Sequence, residues 1–154
     1  MTTLLNAPEI IATDIFQPIR PDFADFSVPV ADSFKWGEIL QAKQVPVGRF
    51  VALYAFRSMR RDGANGDLLQ QLDEKALIAA EEAPGFIHYQ PYPGLSYCLW
   101  ESSTLARAAV GSPAHREAAR YANEAYEKYE LQSWLIGRLT IGTQVEFVPR
   151  QLEP

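Results

Sequence analysis

The sequence predicts an α+β fold with the element order strand, helix, strand, strand, helix, strand, and three observations predict it. The run RFVALYAFRSM, starting at Arg49, is aromatic and branched and apolar on both of its alternating faces. Two stretches, near 68–82 and 103–130, carry helix signals, and between and after them lie further runs of strand character. With 154 residues, 47% of them hydrophobic and 12% aromatic, the chain has the material for one packed core rather than a disordered tail.

Residues 1–46 read as an N-terminal arm, and 47–154 as the body of the domain. The arm carries Pro8, Pro18, Pro21, Pro29 and Pro46, which remove backbone donors and oppose helix before each proline. Its Ile10, Ile11, Ile15, Phe16, Phe23, Phe26, Val28 and Val30 are too apolar for a solvated tail, so the arm is expected to lie across the body or a partner. One short helix is expected in it, capped by Ser33 and carrying Phe34, Trp36, Ile39 and Leu40.

The first core strand runs from Arg49 to the Asp62-Gly63 turn, with Phe50, Ala52, Tyr54 and Phe56 on one face and Val51, Leu53 and Ala55 on the other. A strand apolar on both faces needs cover on both. Asp67 is placed to cap a helix over 68–82, which Pro84-Gly85 stops. Strands at 86–90 and 95–101 follow, joined through Pro91-Tyr92-Pro93-Gly94. A helix begins in STLARAAV, breaks at Gly111, and resumes with Ser112 as cap and Pro113 in the first turn of AHREAARYANEAYEKYE. The last run, LQSWLIGRLTIGTQVEFV, reads as strand with Gly137 and Gly142 as bends. This order is the ferredoxin-like split unit, an antiparallel sheet with both helices on one face. The other face then needs the arm or a second copy of the sheet, so a homodimer of the dimeric α+β barrel type is expected.

A net charge of -5 and a pI near 5.0 disfavour a nucleic-acid partner, and Arg57, Arg60 and Arg61 beside Asp62 are too few to form a binding groove. Cys98 is the single cysteine, so no intrachain disulfide forms and a reducing, cytoplasmic setting is expected. No run approaches the ~20 apolar residues that span a bilayer, and no membrane partner is expected. His88, His115 and Cys98 match no metal-ligand spacing, GANG at 63–66 lacks the lysine of a phosphate loop, and Ser102 and Ser103 lie in no nucleophile elbow. Neither a metal nor a cofactor is expected.

The segment SYCLWESSTLARAAVGSPAHREAA joins a strand ending in Trp-Glu to an alanine-rich helix and then a Ser-Pro-x-His helix start. In this, and in topology over residues 49–148, the chain resembles the antibiotic biosynthesis monooxygenase family of dimeric α/β barrels. The resemblance implies a small aromatic or apolar ligand held between helices and sheet. Among its branches are cofactor-independent oxygenases, cyclases and heme-degrading enzymes. The tryptophan and histidine that the heme-degrading branch requires would fall, counting from Trp100, on Ala109 and Ala119, which disfavours that activity.

Eight residues are candidates for a site. His115 sits in the first turn after Ser112, where the positive helix end favours a neutral imidazole able to act as base or donor. Tyr126 supplies a phenol and Glu101 a carboxyl at a strand end, completing the catalytic candidates. Trp100, His88, Tyr121, Tyr129 and Arg57 are the candidate ligand contacts, although helix capping and core packing account equally well for several of them. Arg57, on an otherwise apolar strand face, requires an anionic partner, and Glu101 is the expected one. Two functions stay open: a cofactor-free monooxygenase or isomerase acting on a small aromatic or enolisable molecule, and a non-catalytic dimeric ligand-binding or stress-related module.

Overall fold

The computed structural model describes residues 15–152, so the part of the expected arm that holds Ile10 and Ile11 lies outside the described residues. A 3-10 turn at Val30–Asp32 precedes helix α1 (Trp36–Ala42) and strand β1 (Phe50–Arg60). Then come α2 (Gly66–Glu82), β2 (Phe86–Tyr92), β3 (Leu95–Trp100), α3 (Ser103–Val110), α4 (Pro113–Ala125), β4 (Tyr126–Ile141) and β5 (Gln144–Gln151). The strands form one sheet in the order β2-β3-β1-β4-β5, and every neighbouring pair is antiparallel. Its first four strands have the ferredoxin-like order, with β5 added as a hairpin partner at the edge.

Local chemistry explains most boundaries. Asn65, not Asp67, caps α2 by accepting from the Leu68 N–H, so the helix starts before the expected residue. Ser102 caps α3 and Ser112 caps α4, the latter with Pro113 in the first turn. The short helix of the arm starts at Trp36 after Lys35, which makes no side-chain cap, and Ser33 instead closes the 3-10 turn.

The helix expected to run through YEKYE ends at Ala125. Beyond that point Tyr126, Lys128, Tyr129 and Glu130 pair with Arg60, Met59, Ser58 and Arg57, because the outer half of β1 would otherwise leave its ladder groups unpaired on that side. The single last strand is in fact a hairpin, turning at Gly142 with φ of 64°. Gly137 serves a different need: a Cβ there would lie 2.8 Å from the Arg49 carbonyl oxygen and 2.9 Å from the Phe50 ring.

Strand alternation puts Ala52, Tyr54 and Phe56 toward the helices and Val51, Leu53, Ala55 and Arg57 away from them. The second face is covered by the chain's own N-terminal segment. Val30, Phe34, Trp36, Ile39, Leu40 and Val45 are buried against Leu53, Tyr97, Leu99 and Ile136. Phe34 and Trp36 pack against Tyr97 at ring separations of 5.4 and 4.8 Å, and the Trp36 Nε1–H donates to the Val30 carbonyl at 3.1 Å. Of the two covers expected for this face, the arm or a second copy of the sheet, the arm is seen here, with residues 16–45 packed on it.

Arg57 sits within that cover at 1% exposure. Its Nη1 donates to Glu130 Oε1 at 3.2 Å, and its Nη2 donates to the Phe23 carbonyl at 3.1 Å and to the Val28 carbonyl. The expected pair with Glu101 does not form. Glu101 lies at the far end of β3, whereas Glu130 is the residue directly beside Arg57 on β4.

Candidate functional site

On the opposite face of the sheet, a cavity of about 360 Å³ lies between the strands and helices α2, α3 and α4. It exists because the residues that face the sheet's aromatic side chains are short. Ala76 and Ala80 on α2, Ala106 on α3, and Ala118 and Ala122 on α4 line it opposite Tyr54, Phe56, Cys98 and Trp100, with Leu69, Leu72 and Leu77 beside them, and Ala80 and Ala106 share one packed cluster with Trp100. Leucine at these positions would fill the space as an ordinary helix-on-sheet core. The wall is therefore mostly apolar, with polar atoms at a few points, which is the usual composition of a small-molecule pocket.

His115 is one of those points. The Ser112 hydroxyl oxygen accepts the His115 backbone N–H at 3.3 Å and lies 3.0 Å from the ring Nδ1, which fixes the imidazole against the helix start. That leaves Nε2 as the ring nitrogen not engaged by Ser112. Burial holds the His115 pKa below its ordinary value, so the ring is neutral at pH 7. The sequence pointed to the same direction through the helix end, but desolvation is the cause seen here.

Three phenols share the cavity. Tyr54, Tyr89 and Tyr126 all have their pKa raised by burial, so each keeps its proton at neutral pH and can donate a hydrogen bond. Tyr54 on β1 and Tyr89 on β2 are both paired with Cys98 on β3, which places the three side chains in one row across the sheet. The Cys98 thiol is pushed up to about 11 by burial and accepts the Trp100 Nε1–H at 3.2 Å. It stays protonated, as expected of an unreactive thiol, but it borders the cavity.

The structure brings three of the eight sequence candidates together: His115, Tyr126 and Trp100 line the cavity. Trp100, 3% exposed, also packs edge-on against Phe86 at 5.3 Å, so it serves core and cavity wall at once. The others lie elsewhere. Glu101 is exposed and its backbone N–H donates to the Gly85 carbonyl at 2.7 Å. Tyr121 is half-buried on α4 outside the lining, and Tyr129 donates its hydroxyl to Asn123 Oδ1 at 2.7 Å on the exposed edge of β4. His88 is on the face under the arm, where its Nε2 meets Gln90 Oε1 at 2.9 Å and its ring stacks on Phe16 at 4.8 Å. Arg57 is buried on that same face.

Tyr54, Tyr89, Asp73 and Arg107 are lining residues that the sequence reading missed. Alternation along β1 placed Tyr54 with Ala52 and Phe56, a usable signal for it. Tyr89 could not be placed that way, because a register shift between Phe86 and His88 moves it to the helix side.

Among the described residues, no group of three or more histidine, cysteine, aspartate or glutamate side chains is arranged to hold a metal ion, and no helix is long and apolar enough to cross a membrane.

A ferredoxin-like α+β domain with an apolar cavity between helices and sheet is the class that these features define. The chain belongs to the PB2B2.08-like family, whose model matches residues 6–148. Among solved structures it is similar to Rv0793 from Mycobacterium tuberculosis, with 20% identity and a TM-score of 0.46 over 55% of this chain and 91% of that one. It is also similar to a mutant of SnoaB, a cofactor-independent oxygenase from Streptomyces nogalater, with 11% identity and a TM-score of 0.43 over 56% and 91% of the two chains. A third is a candidate antibiotic biosynthesis monooxygenase from Bacteroides thetaiotaomicron, at 10% identity and a TM-score of 0.39 over 54% and 85%. No curated protein matches the sequence.

Proposed function

We propose that this protein binds a small aromatic or apolar, enolisable molecule in the helix–sheet cavity and acts on it as a cofactor-independent monooxygenase or isomerase. The observation that carries the reading is a neutral, positioned histidine on the wall of an apolar cavity that also holds three protonated phenols. In the tautomer that donates Nδ1–H to Ser112, the His115 Nε2 lone pair takes the acidic proton of an enol, phenol or ketone. Tyr54, Tyr89 and Tyr126 are the donors available to the resulting oxyanion, set in a mostly apolar wall. The anion then either regains its proton at another carbon or, with the substrate itself as reductant, adds dioxygen at the deprotonated carbon to give a hydroperoxide, which loses water to leave a carbonyl, the two hydrogens of that carbon ending in the water.

A second reading, a non-catalytic binding module for the same class of molecule, is favoured by how little of the wall is polar. One experiment separates the two. Exchange of the C1 hydrogens of 2-tetralone in deuterated buffer, followed by proton NMR, is expected to be accelerated by the protein and to fall about 10²- to 10⁴-fold in His115→Gln, the range a general base supplies. Binding of 2-tetralone without acceleration favours the module, and absence of binding contradicts both readings.

A further inference from the structure

The apolar cavity is not isolated. A second, more polar chamber of about 570 Å³ adjoins it and shares Phe56, Asp73, Tyr89, Ser96 and Tyr126 as a common wall. The outer chamber is bounded by Ser58 and Arg60 at the end of β1 and by the Pro91-to-Leu95 turn. The two spaces therefore share a boundary formed by Phe56 and the polar Asp73, Tyr89, Ser96 and Tyr126, with apolar wall on one side and mixed wall on the other.

The charges of this double site oppose those of the whole chain. The protein carries a net charge of -5, yet the two linings contain Arg60 in the outer chamber and Arg107 in the inner one against a single carboxylate, Asp73. Neither arginine forms a salt bridge among the described residues.

From this geometry we infer that the natural ligand is an elongated amphiphile: an aromatic-sized apolar body in the inner chamber and an anionic head, of carboxylate type, in the outer chamber at Arg60. This rests on the cavity reading above and deepens it by naming the substrate class. An apolar body alone would leave the polar chamber to water, and a compact anion alone would leave the inner chamber unfilled. A molecule with both parts satisfies each wall, and guanidinium is the side chain best matched to a carboxylate. Asp73 sets the limit on this attraction, since it faces both chambers and its charge opposes the head.

The test compares 4-(2-naphthyl)butanoic acid with 4-(2-naphthyl)butan-1-ol, which share a body and differ in the head, by calorimetric titration at pH 7 and low salt. The acid is expected to bind about tenfold more tightly than the alcohol, the order of one charge-assisted contact at a partly open site. Arg60→Gln is expected to remove that preference while leaving the affinity for the alcohol unchanged. Arg107→Gln is expected to keep it. Equal binding of acid and alcohol by the unaltered protein overturns the inference while leaving the cavity reading intact, and so does loss of the preference in Arg107→Gln rather than Arg60→Gln. If neither probe binds, and 2-tetralone does not bind either, the cavity reading fails with it.

Discussion

Arg57 shows what a single buried charge does for this fold. Its guanidinium joins β1 to Glu130 on β4 and to two carbonyls of the N-terminal segment, so removing it strands the Phe23 and Val28 carbonyls, while Glu130 keeps the Gln132 amide. Arg57→Leu is expected to cost about 2 to 5 kcal/mol in denaturant melts, since each stranded buried carbonyl costs about 1 to 3 kcal/mol, and a loss below about 1 kcal/mol would contradict this role. Glu130→Gln is milder, since that side chain is 35% exposed and the amide can still accept. The histidines make a second prediction. Burial lowers the pKa of both His88 and His115 in the folded state, so the unfolded chain binds more protons below its own value of 6.5. Stability then falls as pH drops through 6.5 and levels off below the lowered folded values. Melts at pH 7.5 and 5.5 should show a smaller acid loss in His88→Gln and in His115→Gln than in the unaltered protein, and identical slopes would contradict it. The need of Arg57 for an anion was readable from strand alternation, but its partner was not, because only the β1–β4 register brings Glu130 beside it. His115 was readable for a simpler reason: its environment is local, set by Ser112 three residues earlier.

At the scale of elements, β1 and β4 form the longest pairing, and Gly137 lets them approach beside Phe50. Gly137→Ala is expected to cost about 1 to 3 kcal/mol, the range for overpacking a tight site, with the loss visible as a lowered midpoint in denaturant. An unchanged midpoint would mean that the Arg49 carbonyl and the Phe50 ring both give way freely. Element types and order were legible where the periodicity was strong, as in β1 and α2. The end of α4 was not. YEKYE carries helix-compatible residues, and only the unmatched outer half of β1 decides for strand. The same holds for β5, whose separation from β4 depends on the Gly142 turn rather than on any change in hydrophobic pattern. Cavity residues followed this division. Tyr54 was placed by alternation, whereas Asp73 and Arg107 lie on exposed helix positions where the sequence carries no sign that a void lies beneath.

For the whole molecule, the two faces of the sheet have separate tasks. One is closed by residues 16–45, which bury aromatic rings and the Arg57 guanidinium, while the other holds the cavity under α2, α3 and α4. Deleting residues 1–30 removes Phe16, Phe23, Val28 and Val30 from the first face and is expected to lower the melting temperature and promote self-association through the exposed apolar strands. A truncated protein that melts unchanged and stays monodisperse in light scattering would contradict that division. The central claim concerns the second face, and filling the cavity tests it. Ala122 is buried on α4 and lines the void, so Ala122→Phe should occupy the ligand's space without disturbing the N-terminal cover. The deciding measurement is titration of 2-tetralone into both proteins by calorimetry, with circular dichroism to confirm the fold: binding by the unaltered protein and its loss in folded Ala122→Phe is the predicted result. Undiminished binding by the folded variant would show that the ligand site lies elsewhere.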